Sequence, residues 1–93
     1  MDEIDLNLLA ALDVLLQERS VTRAAHRLRL STSAMSRTLS RIRKALGDPV
    51  LVPAGRAMVL TPHAEAIAEQ VRALAAGAQA VLRPPSPVDP RSM

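Results

Sequence analysis

Residues 20–46 read SVTRAAHRLRLSTSAMSRTLSRIRKAL, a segment with two serines at positions that can start helices. Ser20 and Ser31 can each cap a helix because a serine oxygen accepts a hydrogen bond from an N–H in the first helical turn. The apolar face of the first of these two helices comprises Val21, Ala24, Ala25 and Leu28. Only Arg29 and Leu30 separate the helices, so the segment predicts a helix-turn-helix.

The second of these helices, from Ser31 to about Leu46, has two chemically different sides. Its apolar stripe contains Met35, Leu39, Ile42 and Leu46, and its other faces carry Ser33, Ser36, Arg37, Ser40, Arg41 and Lys44. Met35 shares the stripe, so we interpret it as a core residue and not as a wedge inserted into DNA. Gly47, followed by Asp48 and Pro49, is typical of a helix end.

Positive charge is concentrated in the same region. The net charge of the chain is only +3, but eight basic residues and no acidic residue lie between Arg19 and Gly47. The basic residues are Arg19, Arg23, Arg27, Arg29, Arg37, Arg41, Arg43 and Lys44. This segregation is typical of a surface that faces phosphates, and the alternative is a solvated basic face.

The flanking sequence predicts one more helix on the N-terminal side and a hairpin on the other. Asp5 can cap a helix that ends at Glu18 and Arg19, with leucines at three- and four-residue spacing between them. Residues 50–52 and 58–60 are predicted strands, joined by a Pro- and Gly-containing turn over 53–57. The hairpin would form a wing with basic Arg56 near its tip.

A long helix is predicted from Thr61 and Pro62 to about Leu82, because a hydroxyl cap followed by proline is a strong start signal. Its apolar stripe contains Ala64, Ile67, Ala68, Val71, Leu74, Ala75, Ala78, Val81 and Leu82. A domain of this size cannot cover such a stripe alone, which predicts a dimer. The predicted dimer contacts are Ile67, Val71, Leu74, Ala75, Ala78 and Val81.

These elements predict a mainly α fold with a small β-hairpin. The expected organisation is a winged helix-turn-helix over 1–62, a linker helix for dimerisation over 61–82, and a proline-rich hinge over 83–93.

Composition excludes several other classes. The chain has no cysteine and no aromatic residue, which argues against disulfides, thiolate zinc sites and modules that stack single-stranded bases. His26 and His63 are the only histidines, and no nucleophile or phosphate-binding loop accompanies them, so we expect no enzyme, metal or cofactor. Without an apolar run of about 20 residues, no membrane association is expected, and the default location is the cytoplasm, on the nucleoid.

At this point a family resemblance becomes specific. The run from Leu12 to Leu60, centred on residues 18–25 and 31–39, resembles the N-terminal domain of LysR-type regulators, and residues 46–52 and 60–62 match its pattern in order and spacing. The resemblance implies a dimer on an interrupted palindrome of double-stranded DNA, with a tetramer as an option in a full-length parent. It also implies a following domain that senses a small molecule. That domain is not in this sequence, so we expect a part of a longer regulator or a naturally short protein.

The resemblance also implies residue roles. Thr32, Ser33 and Arg37 would read bases in the major groove, while Ser20, Thr22 and Ser36 would contact the backbone. Arg56 would belong to a wing near the minor groove, although a mobile surface arginine is the alternative. The complete set of predicted DNA contacts is Ser20, Thr22, Arg23, Ser31, Thr32, Ser33, Ser36, Arg37, Ser40, Arg41, Lys44 and Arg56. Capping is the favoured role for Ser31, and Arg43 is interpreted as a phosphate contact or a solvated residue.

Three departures from the family pattern and two rival classes remain open. Many members carry Gln-Pro at Thr32-Ser33, Gly at Arg29 and a basic residue at Pro53, so base reading, turn geometry and wing contacts can differ here. One rival is a protein-interaction module that uses the long helix without binding DNA specifically. The other is a winged-helix repressor of another family.

Overall fold

A computed structural model describes residues 5–82, which form four helices and one antiparallel hairpin. In chain order the elements are α1 (Leu6–Glu18), α2 (Val21–Leu28), α3 (Thr32–Leu46), β1 (Leu51–Ala54), β2 (Ala57–Leu60) and α4 (Pro62–Leu82). The predicted fold class, mainly α with a small hairpin, is confirmed. The predicted hinge at 83–93 lies outside the described residues.

Each helix begins at the cap that the sequence predicts. Asp5 accepts a hydrogen bond from the Asn7 N–H at 2.8 Å, and Ser20 accepts one from the Arg23 N–H at 3.1 Å. The Ser31 hydroxyl accepts from the Ala34 N–H, and the Thr61 hydroxyl accepts from the Ala64 N–H, both at 3.0 Å. The capping oxygens accept from N–H groups that have no partner inside the helix. Because each cap is a single residue type close to the helix start, the starts can be predicted from the sequence.

The core lies where α1 meets α2, α3 and α4. Leu15 in the C-terminal half of α1 and Met35 on α3 have no exposed surface, and Val50 and Leu51 at the start of the hairpin are at most 1% exposed. Ala24 and Ala25 of α2 are also buried, and their small side chains allow the neighbouring helices to approach closely. Met35 therefore belongs to the core, as its stripe predicted.

The hairpin differs from its prediction in length and in its turn. Its strands pair from Leu51 with Leu60 to Ala54 with Ala57, so only Gly55 and Arg56 form the turn. Gly55 has a φ of +65°, as required at the first position of the tight turn that suits the twist of a hairpin. The predicted five-residue turn over 53–57 is wrong because Pro53 lies within a strand. Proline is tolerated there because both strands of a two-stranded sheet are edge strands.

The long helix α4 uses its apolar stripe in two ways. Ala64, Val71 and Ala75 are buried on the side that packs against α1, whereas Leu74 is 62% exposed and Val81 is 81% exposed. Val71 and Ala75, two of the predicted dimer contacts, are each only 6% exposed in the single chain, so little of their surface is left for a partner. The uncovered part, Leu74 and Val81 with half-buried Ala78, is called here the free face of α4.

Two arginines end helices in a conformation that favours glycine. Arg19 has a φ of +55° and Arg29 a φ of +58°. Arg29 closes α2, and its N–H is shared between the carbonyl oxygens of Ala25 and His26. The helix-turn-helix therefore accommodates a left-handed residue that carries a Cβ atom.

We expect Arg29→Gly to raise the free energy of unfolding by about 0.5–1 kcal/mol. Relief of the left-handed strain, about 1–2 kcal/mol, exceeds the extra unfolded-state entropy of glycine, about 0.4–1 kcal/mol. Urea denaturation of this variant and of Arg29→Ala is the test, because alanine also removes the guanidinium but keeps Cβ. Equal stability of the two variants would contradict the assignment of strain to this position.

Candidate DNA interface

The exposed side of α3 brings together most of the predicted DNA contacts. Seven of them lie exposed on this helix: Thr32, Ser33, Ser36, Arg37, Ser40, Arg41 and Lys44. The helix contains no acidic residue, and its opposite face is buried through Met35, Leu39 and Ile42. One turn of α3 thus presents small hydroxyl side chains, and the following turns present cations.

The two capping serines are committed to their own helices. The Ser20 and Ser31 hydroxyl oxygens accept hydrogen bonds from backbone N–H groups of α2 and α3. Each hydroxyl hydrogen is still available to donate, so a cap and a contact to a phosphate oxygen are compatible. Thr22 and Arg23 are exposed in the first turn of α2.

Three basic residues of the window make ion pairs. Glu18 at the end of α1 accepts from Arg23 at 3.2 Å and from Arg27 at 3.1 Å. Arg23 also donates to the Glu18 carbonyl oxygen at 2.6 Å, which fixes its guanidinium beside the end of α1. Arg41 lies 3.5 Å from the Asp5 carboxylate. All three arginines are exposed, so water screens these pairs and their side chains remain accessible.

The other cations of the surface have no carboxylate partner within residues 5–82. They are Arg19, Arg29, Arg37, Lys44 and Arg56, all exposed. Arg37 and Lys44 lie on α3, and Arg56 lies in the hairpin turn. Positive charge without a local counter-charge attracts polyanions most strongly, so these positions contribute most to the positive potential of the described surface.

Arg43 has a different role from the one that its sequence position indicates. Its guanidinium donates to the Pro49 carbonyl at 2.7 Å and to the Leu51 carbonyl at 3.1 Å. It therefore ties the end of α3 to the base of the hairpin. Two of its five N–H donors bind backbone acceptors of the same chain, a structural role that the prediction of a phosphate contact or a solvated residue did not include.

Asp48 forms a second tie at the base of the hairpin. One carboxylate oxygen accepts from the Thr61 hydroxyl at 2.6 Å and from the Val50 N–H at 2.8 Å. The Thr61 hydrogen bond, with smaller help from Val50 and His63, lowers the pKa of Asp48 below its ordinary value. Because the folded-state pKa is depressed, this contribution to stability is present above the ordinary aspartate pKa and disappears as pH falls through the lowered one.

Sequence reasoning missed the roles of Glu18, Arg43 and Asp48. Their partners lie on other elements, and a charge run read along the chain gives no sign of them. The one available signal was the sequence from Gly47 to Val50, where an aspartate before a proline often binds nearby backbone N–H groups.

Other site types are not found in the part of the chain that the structure describes. Between residues 5 and 82, no three histidine or acidic side chains converge as metal ligands. None of the four helices is both long and apolar enough to cross a membrane.

Relatives with curated names share this region of sequence. The chain is 51% identical over 69 residues to nodulation protein D 1 of Neorhizobium galegae, covering 74% of this chain and 22% of that protein. It is 49% identical over the same length to nodulation protein D 2 of Rhizobium meliloti, with the same coverage. The chain therefore spans about a fifth of the length of these relatives.

Solved structures share the fold. A probable transcriptional regulator from Pseudomonas aeruginosa aligns with a TM-score of 0.75 and 39% identity, over 90% of this chain and 29% of that one. The DNA-binding domain of BenM, solved with catB site 1 DNA, aligns with a TM-score of 0.75 over 85% of this chain and 89% of that one. At its 22% identity the second likeness concerns the fold alone.

The family assignment follows from the sequence model that matches the helix-turn-helix. Residues 6–65, from the first residue of α1 into the first turn of α4, match the bacterial regulatory helix-turn-helix proteins of the lysR family. This family consists of regulators and not of enzymes. The chain belongs to the lysR family of bacterial regulatory helix-turn-helix proteins and carries its DNA-binding domain.

Proposed function

We propose that this domain binds double-stranded DNA as a homodimer, with α3 in the major groove of each half of an interrupted palindrome. The observation that carries the proposal is the sidedness of α3. Met35, Leu39 and Ile42 are buried, and apart from Ala45 every exposed residue of the helix is hydroxyl or basic, without an acidic residue. A helix in the major groove needs this combination of small side chains near the bases and cations near the phosphates.

The base-reading residues we propose are Thr32, Ser33 and Arg37. The two hydroxyl residues occupy the first turn of α3, the part of a recognition helix that approaches base edges. Arg37 lies about one turn further on, is exposed, and has no carboxylate partner among the described residues. A free guanidinium can donate two hydrogen bonds to a guanine edge.

The hairpin is proposed to lie near the minor groove. Its turn carries exposed Arg56 beside Gly55, and a guanidinium on such a narrow tip can enter the negative potential of a narrow groove. Since Pro53 is not basic, the hairpin would offer one cation per protomer at this position.

Dimerisation is proposed through the free face of α4. Leu74 and Val81 are large apolar side chains on a helix that already packs against α1 on its other side. Together with Leu6, Leu9 and Gly77, they line an open apolar groove of about 700 Å³. A twofold pair of such helices would bury both free faces and would place two copies of α3 on symmetric half-sites.

The rival role as an interaction module without DNA binding leaves the basic side of α3 unexplained. We further propose that the domain works in the cytoplasm on the nucleoid, and that any small-molecule control enters through a sensor domain of a longer parent.

Selection of bound duplexes from randomised DNA tests the proposal of sequence-specific binding as a dimer. Enrichment of an inverted repeat is expected, and failure to enrich any sequence over the input would contradict specific binding.

Arg37→Ala is expected to weaken binding to the selected duplex by about 1–3 kcal/mol and to relax preference at one base position per half-site. Titrations against the selected duplex and its single-base variants measure both effects. Lys44→Ala is the matched control, because a phosphate contact should weaken all sequences equally and lower the salt slope by about one. A uniform loss for Arg37→Ala would make Arg37 a phosphate contact as well.

A further inference from the structure

The base of the hairpin contains a strained residue that two side chains hold in place. Val50 has a φ of +69°, a conformation that a β-branched residue rarely adopts, and its side chain has no exposed surface. The Leu51 N–H donates to the Pro49 carbonyl at 2.7 Å, so Val50 is the central residue of a three-residue turn of the strained kind. Such a turn persists only where its surroundings determine it.

The contacts around this turn come from three different elements. Arg43 of α3 binds the carbonyls on both sides of Val50, and Asp48 binds the Val50 N–H. The remaining backbone group of Val50, its carbonyl, accepts from the Thr61 N–H at 2.9 Å. The turn is therefore clamped by the end of α3 on one side and by the start of α4 on the other.

Thr61 makes the clamp continuous with α4. Its hydroxyl donates to Asp48 and accepts from the Ala64 N–H, so one oxygen joins the loop after α3 to the N-terminus of α4. Thr61 is largely buried, at 7% exposed, and this protects the hydrogen bonds from competition with water. The lowered pKa of Asp48 keeps its carboxylate ionised, the form that only accepts hydrogen bonds.

We infer that Asp48 and Thr61 are positioning residues for DNA binding, which fix the hairpin and its Arg56 at a set distance from the recognition helix α3. The inference rests on the proposed function. It adds that the hydrogen bonds of Asp48 and Thr61 hold the hairpin in a fixed orientation relative to α3. A hairpin with four residues in each strand is not stable alone, so its direction depends on its base. Asp48 touches no DNA in this arrangement and acts through Arg56.

A double-mutant cycle between Asp48 and Arg56 tests the inference, with a duplex selected by the wild-type domain as the probe. Asp48→Ala is expected to weaken binding about fivefold in the wild-type background and less than about twofold in the Arg56→Ala background. The non-additivity is the decisive readout, because general destabilisation would weaken binding equally in both backgrounds. Equal losses in the two backgrounds, or no loss in either, would overturn the inference.

Asp13→Ala is the matched control for charge. It removes the same negative charge, but Asp13 pairs with Arg72 at 4.0 Å, on α1 and α4. Loss of either carboxylate should favour DNA electrostatically, so weaker binding by Asp48→Ala relative to Asp13→Ala isolates geometry. Stronger or equal binding by Asp48→Ala relative to this control would overturn the inference.

The Thr61 variants separate the hydroxyl from the fold. Thr61→Ser keeps the hydrogen bond and is expected to bind within about twofold of wild type, whereas Thr61→Val should reproduce the loss seen for Asp48→Ala. In the DNA-free protein, amide exchange of β1 and β2 should accelerate in Asp48→Ala while exchange in α1 stays unchanged. Unchanged exchange in the hairpin would overturn the inference.

A wild-type domain that binds no duplex would overturn the proposed function and this inference together. Normal wild-type binding with an additive cycle would overturn this inference alone.

Discussion

Leu74→Glu is expected to convert the proposed dimer into a monomer and to weaken binding to a duplex with two half-sites by at least about 100-fold. Leu74 is 62% exposed in the single chain, so the substitution does not disturb the core. In a twofold dimer each substitution enters the interface twice. It removes from each protomer a leucine contact worth about 1.5–3 kcal/mol and introduces two carboxylates into an apolar interface.

The monomer is expected to lose DNA affinity because a dimer links two recognition helices and a monomer does not. When one recognition helix is bound, the second binds at an effective concentration set by the dimer and not by bulk protein, which raises affinity by about 10²–10⁴. A monomer loses this factor but keeps its own contacts. Binding of Leu74→Glu to a single half-site should therefore match that of the wild-type protomer.

Sedimentation velocity and paired titrations with one-site and two-site duplexes measure the two effects. The chain has no Trp or Tyr, so interference optics are needed to follow the protein. Ala76→Glu is the matched control, because Ala76 is exposed and lies two residues further along α4, on nearly the opposite side of the helix. The proposed interface would be contradicted if Leu74→Glu still dimerised at the concentrations where the wild type does. Equal losses of affinity for the two-site duplex in Leu74→Glu and Ala76→Glu would also contradict it.

The local features of this fold were readable from the sequence because each depends on neighbours along the chain. Asp5, Ser20, Ser31 and Thr61 set helix starts through hydrogen bonds to residues two or three positions away. The apolar stripes of α1 and α3 follow from helical periodicity alone. The hairpin was predicted as well, and its turn was misplaced only because Pro53 is a turn former in most contexts.

The features that the sequence did not reveal depend on residues brought together by folding. Periodicity predicted one wide stripe on α4, but only the packing of α1 divides it into a covered side and a free face. Likewise, the basic window predicted eight similar cations, whereas Glu18 holds two of them and Arg43 binds the base of the hairpin. The basic window therefore has fewer free charges than the sequence indicates.

Leu15→Ala is expected to lower the free energy of unfolding by about 3 kcal/mol, within the range of about 2–5 kcal/mol for buried leucines. Leu15 has no exposed surface and lies on α1, the helix that contacts α2, α3 and α4. A cavity at this point is bordered by several elements and cannot collapse through the movement of one side chain. Because small domains are stable by only about 5–15 kcal/mol, the loss is a large fraction of the total.

Urea denaturation followed by far-ultraviolet circular dichroism measures this loss, at one fixed protomer concentration because the proposed dimer would add to stability in a concentration-dependent way. Leu30→Ala is the control, since Leu30 is 40% exposed and lies outside the proposed dimer groove, and it should cost less than about 1 kcal/mol. The folded fraction of Leu15→Ala should retain the wild-type order of preference among duplexes, because Leu15 reaches no DNA. Near-wild-type stability combined with an altered preference would contradict the assignment of Leu15 to the core and would give α1 a direct part in recognition.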